Sequence, residues 1–347
     1  MDQKSLVAAI ERRLREHPLL ANSDPEFVGK YQARYSEVFE YRRRSQPKEA
    51  PILVKRRTGF ASDKLAEGVA AREFTTLKRL QEQCGSALDG SVPLPLALFP
   101  ELSAIAMSKL PGENWQGILR RDANTLVGWY RQERLGRTAL LVGRWLRNFH
   151  ESTRQSPIRF DDQAFLAEVN EWLGRCSSGG LDRAAAKQIW ESVSEAGQRV
   201  SGQPVIRTAT HGDFIPVNIL IVDEHIAVLD FEDFRACDVA YEDVGMLCAY
   251  FAFMAESPFY SRRAIRAMTL SFLQGYGDSG SQVLRDLYTM KTALNLAACQ
   301  FQQGKSVSIF SRKLLRYRNH LLGLARSLRA KAQGPELQVQ QEPAGGL

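Results

Sequence analysis

The fold of this chain is indicated most clearly by two neighbouring stretches, HGDFIPVNIL at residues 211–220 and LDFED at residues 229–233. Asp213 stands on a predicted tight loop after a glycine, Asn218 follows five residues later, and Asp230 ends a predicted strand hairpin. A Gly-Asp pair alone is common turn chemistry and would favour a plain polar turn. The compound pattern of H-G-D-x4-N, a β-hairpin and D-F-E-D is far more specific, and we interpret it as a reaction site.

The three polar side chains of this pattern match the needs of phosphoryl transfer. That reaction takes little covalent chemistry from a protein, but it needs a base or orienting group for the attacking hydroxyl and metal ions on the phosphates. Asp213 would accept the hydroxyl proton. Asn218 and Asp230 would offer hard oxygen ligands to magnesium, which keeps waters and phosphate oxygens in its other positions.

The same segment resembles the catalytic and metal-binding loops of aminoglycoside phosphotransferases, choline kinases and related small-molecule kinases. Those families have His-Gly-Asp where protein kinases have His-Arg-Asp, and they follow the metal-binding Asp with an aromatic residue and Glu, as in Asp230-Phe231-Glu232. The resemblance runs from about Tyr35 to Phe272. It implies an α+β, bilobal protein-kinase-like fold that moves the γ-phosphate of ATP, or of GTP, to a hydroxyl of a small molecule.

The chain before residue 111 reads as a small strand-rich unit. Tyr35–Tyr41 and Ile52–Lys55 are predicted strands, two apolar runs around the turn at Pro100–Glu101 predict a hairpin, and Asp63–Gln83 is a predicted helix. We therefore predict an N-terminal nucleotide-binding lobe over 1–110, built from an antiparallel sheet and one main helix.

The rest of the chain reads as mostly helical. A long helix is predicted over roughly Leu126–Ser152, and one strand-rich insert is predicted between Val205 and Phe231. This gives a large helical C-terminal lobe over 111–331 that carries the catalytic and metal-binding loops. The segment 332–347 is rich in Gly, Pro and Gln, which predicts a disordered tail.

Lys55 and Glu73 form a predicted ion pair in the N-terminal lobe. Glu73 falls on an apolar helix stripe, where an unpaired carboxylate would be costly, and the stripe comprises Leu65, Val69, Glu73, Leu77 and Leu80. In kinase folds a strand lysine and a helix glutamate position the phosphates of ATP. The alternative has Lys55 solvated beside Arg56 and Arg57, with Glu73 at the edge of the stripe.

The phosphate-covering loop departs from the kinase pattern. It should lie in Val28–Ser36 or in the polar turn over 42–51, and these stretches contain Gly29 but no G-x-G-x-x-G motif. Backbone amides or the Ser36 hydroxyl would then contact phosphate. This departure keeps a second hypothesis open, a catalytically silent pseudokinase that binds nucleotide and regulates a partner.

Three further positions take their roles from the resemblance. Ser108–Leu110, before Pro-Gly, resembles the connector between lobes, where the backbone of Ser108, Lys109 and Leu110 would contact adenine. His211 is expected to orient the catalytic loop through hydrogen bonds. Asp243 would brace that loop, with Glu242 as its rival because the downstream segment fits the family pattern only after one inserted residue.

Composition limits the other possibilities. No stretch approaches 18 uninterrupted apolar residues, and the charged N-terminus does not read as a secretory signal. The five cysteines show no CxxC pair, which argues against a disulfide framework or a structural zinc site. We therefore expect a cytoplasmic protein. Its net charge of +7 favours anionic ligands in general.

The acceptor and the binding partners stay open at this level. Aminoglycosides are polycations that need acids in their site, and the candidates for a local acidic pocket are Asp161, Asp162, Glu168, Glu171 and Asp233. A sugar, an amino alcohol, a phosphorylated metabolite or a glycolipid head group fits this basic chain at least as well. The basic amphipathic helix over 310–331 either lies on an anionic membrane or packs its apolar stripe in the core. Nucleic acid ranks last, and the oligomeric state is open.

Overall fold

The structure is a computed structural model, and it describes residues 2–33, 35–85, 88, 90–277, 280–302 and 309–333, without the side chains of 300–302 and 309–315. Within these ranges the helices are Gln3–Glu16 (α1), Asp63–Cys84 (α2), Trp115–Asp122 (α3), Gln132–Ser152 (α4), Asp162–Ser178 (α5), Arg183–Arg199 (α6), Tyr241–Ala255 (α7), Arg262–Tyr276 (α8), Gln282–Gln302 (α9) and Ile309–Gln333 (α10). The strands are Pro25–Gln32 (β1), Ser36–Arg43 (β2), Ile52–Arg57 (β3), Pro95–Phe99 (β4), Ala104–Ser108 (β5), Glu113–Asn114 (β6), Ile158–Arg159 (β7), Pro204–Val205 (β8), Arg207–Thr210 (β9), Ile219–Val222 (β10), His225–Val228 (β11) and Arg235–Val239 (β12). None of the helices in the described ranges combines the length and the apolar character that a membrane crossing requires.

Packing divides the chain into two compact units. The first comprises the chain up to Gly117 together with His211–Arg235, and the second comprises Ile118–Thr210 with the chain from Ala236 onward. The catalytic and metal-binding loops are predicted from the sequence to belong to the helical lobe over 111–331. They group with the first unit, because β10 pairs with β6 and the Val228 N–H donates to the Ser91 carbonyl at 2.8 Å.

The first unit is built on a five-stranded antiparallel sheet with the order β1-β2-β3-β5-β4. Alternation along β3 gives its two faces different roles. Val54 joins the apolar cluster with Ile10 and Leu14 of α1, whereas Lys55 meets Glu73 of α2. Strand β1 includes the first half of Val28–Ser36, a stretch considered above for the phosphate-covering loop, because Gly29 interrupts an already weak alternation.

Helix α2 begins at its N-cap residue Ser62, whose hydroxyl accepts from the Leu65 N–H at 3.3 Å. Glu73 lies on the buried face of α2, as predicted, but Leu65 is 56% exposed and does not belong to that face. The buried stripe begins instead with Ala66, because the spacings of four and three that connect its members lead from Glu73 back to Ala70 and Ala66.

The second unit is helical. Helices α4 and α8 cross in close backbone contact, since a Cβ at Gly143 would lie 2.1 Å from the Phe272 carbonyl and one at Gly275 would lie 2.1 Å from the Leu140 carbonyl. Helices α5, α6, α9 and α10 share one apolar core with the short strand pair β7–β8 beside them.

One sequence prediction in this unit needs correction, and one alternative that the sequence left open is decided. The long helix begins at Gln132 rather than near Leu126, because Asn124 ties the preceding segment into a turn by accepting from the N–H groups of Leu126 and Val127. The apolar stripe of α10 packs in the core, as in the second of the two readings of that helix, with Leu321 and Leu328 buried.

The basic face of α10 is also engaged. Its ion-pair partners are acids of the neighbouring helices: Arg318 pairs with Asp182, Arg329 with Glu195 and Lys331 with Asp286. This part of the helix therefore lacks an apolar face for a membrane. The side chains of Phe310 and Leu314, and residues 334–347 of the predicted tail, lie outside the described residues.

Candidate active site

The catalytic loop is held by His211. Its Nδ1 accepts from the Asp213 N–H at 3.2 Å, so its Nε2 carries the proton and donates to the Leu229 carbonyl at 2.9 Å. Gly212 between them has φ +83°, and a Cβ there would lie 2.2 Å from the Asp233 carbonyl. The tight turn therefore requires glycine. His211 thus links the loop to the end of the following hairpin through two hydrogen bonds, and its role in orienting Asp213 stays a prediction.

Asp213 and Asn218 are in direct contact. The Asn218 Nδ2 donates to both the Asp213 carbonyl and its Oδ2, each at 2.9 Å. Because these hydrogen bonds use the amide nitrogen of Asn218, its amide oxygen is available to bind another partner. Burial raises the pKa of Asp213, and the neighbouring carboxylates of Asp233 and Asp230 raise it further against the lowering effects of His211 and Asn218.

Asp230 lies two residues after the end of β11, in the left-handed region with φ 63°. This conformation is uncommon for a residue other than glycine, although Asp tolerates it better than most. Burial alone would raise the pKa of Asp230, but the hydrogen-bonded Lys55 and the nearby Arg57 outweigh it, and the pKa falls below its ordinary value. Asp230 is therefore held ionised, as a metal ligand must be.

Lys55 links the two halves of the predicted nucleotide site. Its Nζ lies 2.9 Å from Oε1 of Glu73 and 2.6 Å from Oδ1 of Asp230. Lys55 and Glu73 are both buried. The predicted pair is therefore present, and the reading of Lys55 as a solvated surface cation is wrong.

Arg57 is a member of the site that the sequence analysis missed. It is 3% exposed, its Nη2 lies 2.5 Å from Oε2 of Glu73, and its Nη1 lies 2.5 Å from Oε2 of Glu232. Burial raises the pKa of Glu232, and Arg57 partly offsets that effect. The available signal was strand alternation, which puts Arg57 on the same face of β3 as Lys55.

The donor set fits a magnesium ion. Asn218 and Asp230 offer an amide oxygen and a carboxylate from adjoining segments, since the Leu229 N–H donates to the Asn218 carbonyl at 2.8 Å. Magnesium is typically held by one or two protein oxygens plus substrate phosphates. Within the described ranges no three His, Cys, Asp or Glu side chains form a metal cluster, and a site of this type does not need one.

The backbone N–H groups of Ser108, Lys109 and Leu110, the connector residues expected to contact adenine, differ in their hydrogen-bond partners. The Ser108 N–H donates to the Leu94 carbonyl and the Lys109 N–H donates to the Pro51 carbonyl, at 2.9 and 2.8 Å. The Leu110 N–H has no hydrogen-bond acceptor among the described residues, which makes it the donor best suited to a base. The Lys109 Nζ binds both oxygens of Glu40 at 2.8 Å.

Ser36 is almost fully buried at the start of β2, and its carbonyl accepts from the Ala33 N–H at 2.8 Å. It follows the turn that connects β1 and β2, which is the first of the two stretches considered for the phosphate-covering loop. Contact between the Ser36 hydroxyl and phosphate stays a prediction.

In the second unit, Asp243 and its rival Glu242 have separate partners. Asp243 is completely buried and lies 3.1 Å from Nε2 of His150, whose Nδ1 is 2.9 Å from the Tyr276 hydroxyl. Glu242 instead pairs with Lys291. Asp243 is thus a fixed part of this unit, and its bracing of the catalytic loop stays a prediction.

Comparison with known proteins gives one match in sequence. The model of a family described as the phosphotransferase enzyme family matches residues 52–277. No curated protein is similar enough in sequence to count as a match.

Several solved structures share the fold. A choline kinase from Cryptosporidium parvum is 15% identical with a TM-score of 0.56, and the match covers 95% of this chain and 97% of that one. An ADP-bound aminoglycoside phosphotransferase is 13% identical with a TM-score of 0.53, covering 95% and 99%. A glucosamine kinase in complex with glucosamine, ADP and inorganic phosphate is 16% identical with a TM-score of 0.51, covering 94% and 99%. The α+β protein-kinase-like fold is thereby confirmed.

Proposed function

The chain belongs to the phosphotransferase enzyme family, and from this premise we propose that it transfers the γ-phosphate of ATP, or of GTP, to a hydroxyl of a small molecule with the help of magnesium. One observation carries the proposal. Lys55 contacts both Glu73 and Asp230, Asn218 contacts Asp213, and the N–H of Leu229, the residue before Asp230, donates to the Asn218 carbonyl, so the expected cation, metal ligands and base belong to one connected network.

Asp213 is the proposed base. The hydroxyl proton of the acceptor would pass to its Oδ atoms as the oxygen attacks phosphorus, and the raised pKa of Asp213 makes it a better proton acceptor than an ordinary aspartate. The hydrogen bond from the Asn218 Nδ2 holds the carboxylate in place. His211 fixes the backbone of the loop, so the base has little freedom to turn away from the acceptor.

Lys55 is the proposed phosphate ligand, with Glu73 and Arg57 setting its position. The amide oxygen of Asn218 and the carboxylate of Asp230 would hold magnesium. When bound, the ion supplies charge neutralisation on the phosphate oxygens. The Leu110 N–H would donate to the base of the nucleotide.

An aminoglycoside acceptor finds little support in the second unit. Of the acids considered there, Asp161 caps helix α5 by accepting from the Ala164 N–H, Asp162 accepts from the Ser201 hydroxyl, and Glu168 pairs with Lys291. Glu171 pairs with Arg175. Since these carboxylates already have partners, we favour an acceptor of low positive charge, such as a sugar or a sugar-bearing lipid head group.

The test is nucleotide consumption with magnesium across a panel of sugars, sugar lipids, choline, ethanolamine, homoserine and aminoglycosides. Wild type is compared with Asp213→Asn and with the control Asp223→Asn, which changes an exposed aspartate in the turn of the same β10–β11 hairpin. We expect ADP formation that depends on one acceptor, persists in the control and is lost in Asp213→Asn.

Two other outcomes would favour different conclusions. Acceptor-dependent turnover that survives Asp213→Asn would remove Asp213 from the mechanism. Tight nucleotide binding with no turnover for any acceptor would favour the pseudokinase alternative. We also propose a cytoplasmic location, which cell fractionation would test; Cys84, Cys176, Cys237 and Cys299 carry free thiols, as is usual in a reducing compartment.

A further inference from the structure

Five large apolar side chains are exposed at one end of the second unit. They are between 61% and 82% exposed, and we call them the apolar ridge: Leu126, Trp129, Tyr130, Phe259 and Leu270. Scattered exposed apolar residues are normal on soluble proteins, but a contiguous group of them marks an interaction surface. The question is whether these five form one group, and what they would bind.

The two loops that carry Leu126, Trp129, Tyr130 and Phe259 lie side by side, because they are hydrogen-bonded to each other. The Thr125 N–H donates to the Phe259 carbonyl at 3.0 Å, and the Ser261 N–H donates to the Ala123 carbonyl at 2.9 Å. An isolated β-bridge between Asn124 and Tyr260 completes the join. Trp129 and Tyr130 also line one groove with Ala267 and Ser271 of α8, on either side of Leu270 in sequence.

The ridge is held in a fixed shape by its own polar groups. The Asn124 side chain accepts from the Leu126 and Val127 N–H groups and donates to the Arg121 carbonyl. The Trp129 Nε1 donates to the Leu126 carbonyl at 3.1 Å, so the indole has a polar partner while its rings face solvent. A Cβ at Gly128 would lie 2.7 Å from the Asn124 carbonyl. A surface ordered in advance loses little conformational entropy on binding.

The surroundings of the ridge are strongly basic. Residues 118–138 and 256–271 contain eight arginines and three acids. Asp122 is fully buried and pairs with Arg121, Arg131 and Arg134, Glu256 pairs with Arg262, and Glu133 pairs with Arg137. The exposed arginines of this region are Arg120, Arg121, Arg134, Arg137, Arg262, Arg263 and Arg266.

We propose that the apolar ridge and its arginines bind the surface of an anionic lipid bilayer. Trp and Tyr rings favour the interface between head groups and acyl chains, Leu and Phe side chains gain from entering the acyl boundary, and arginines gain from anionic head groups. All three kinds of side chain occur together here, on a rigid support.

Two other occupants fit the same surface less well. A second copy of the chain, joined through the same face, would bring two arginine-rich surfaces together at a cost in charge repulsion. Single-stranded nucleic acid would use the aromatic rings and the arginines, but Leu126 and Leu270 have no flat face on which a base could stack. The anionic bilayer uses every member of the ridge.

The test is co-sedimentation with phosphatidylcholine vesicles that contain or lack phosphatidylserine. We expect binding only with phosphatidylserine, and a loss that grows with added salt because the electrostatic part is screened. The ridge variant Leu126→Ser/Trp129→Ser/Tyr130→Ser and the charge variant Arg262→Gln/Arg263→Gln/Arg266→Gln should each lower the vesicle partition coefficient about tenfold or more. The control is Leu19→Ser, which removes an equally exposed leucine from the first unit.

A second readout reports the residue itself. Trp129 is the exposed tryptophan among the described residues. Its fluorescence emission should therefore shift to the blue when vesicles are added, and brominated acyl chains should quench it. Trp129→Leu should keep vesicle binding and lose that shift. The proposal is overturned if the protein does not bind vesicles, or if the ridge variant binds them as well as wild type does. It is also overturned if the ridge variant loses self-association or nucleic-acid binding but keeps vesicle binding. Because binding is measured without turnover, these results do not depend on the proposed activity.

Discussion

Nζ of Lys55 lies 2.6 Å from Oδ1 of Asp230, although 175 positions separate the two residues in the sequence. Lys55 stands on the third strand of the sheet, and Asp230 follows the hairpin that comes after the catalytic loop. Their contact brings the predicted phosphate-binding cation to the predicted metal ligand. Glu73 and Arg57 surround this contact, and the following predictions test what each member does.

Removing Arg57 should destabilise the protein. Arg57 is buried between Glu73 and Glu232, and its loss leaves the buried Glu73 with Lys55 alone and the half-buried Glu232 without its cation; breaking a buried ion pair typically costs about 3 to 5 kcal/mol. Denaturant unfolding of Arg57→Met measures this loss. The control is the neighbouring Arg56→Met, whose partly exposed guanidinium pairs with Glu37 and should cost no more than about 1 kcal/mol. Equal losses in the two variants would contradict the burial argument.

Lys55 and Glu73 should be energetically coupled in nucleotide binding. Glu73 acts through Lys55, so Glu73→Gln should weaken binding much less once Lys55→Met has removed the cation. For residues in contact, a double-mutant cycle typically gives about 0.5 to 3 kcal/mol of coupling. Calorimetric titration with a non-hydrolysable ATP analogue provides the four affinities. Strict additivity would show that Glu73 acts independently of Lys55.

The acid limb of the pH profile should reflect Asp213. A base must be deprotonated to accept the proton, and burial raises its pKa above the ordinary aspartate value, so kcat/KM should begin to fall at a higher pH than a solvated aspartate would give. Asp233→Asn removes a negative neighbour that helps to raise this pKa, and should move the limb to lower pH. Asp223→Asn should leave it in place. If Asp233→Asn leaves the acid limb of the kcat/KM profile at the same pH, the titrating group is not Asp213.

Gly212→Ala should abolish activity while leaving the second unit folded. The added methyl group would meet the Asp233 carbonyl at 2.2 Å, and the positive φ adds backbone strain. The loop must then shift, and it moves Asp213 away from Asn218. Circular dichroism should retain the helical signal, whereas single-turnover phosphate transfer should be lost. Gly174→Ala, on the open face of α5, is the matched control with nothing within 4 Å.

Much of the fold followed from local patterns. The predicted helix over Asp63–Gln83 agrees with α2, and the turn at Pro100–Glu101 does connect β4 to β5. Both segments have strong periodicity and clear turn residues, which local physics is enough to interpret. The β1 strand and the true start of α4 were missed, because Gly29 weakens the first pattern and Asn124 replaces helical hydrogen bonds with a side-chain turn in the second.

The sequence by itself determined the catalytic pattern. Spacing fixes Asp213 and Asn218 on one short loop, where a side-chain amide five residues on can reach back, and the loop also needs Gly212 for its positive φ. These are short-range requirements, so they are visible in one stretch of residues.

Only the tertiary structure decided which charges share the site. Strand alternation separates the faces of Arg56 and Arg57 but does not say which face is covered; packing against α2 and the metal-binding loop buries Arg57 between two carboxylates, while Arg56 pairs with Glu37 on β2. A buried cation needs partners from distant segments, because leaving water is costly without them. The tertiary structure also decided which apolar faces are buried. Neighbouring helices cover the apolar stripe of α10, whereas the side chains of the apolar ridge stay exposed.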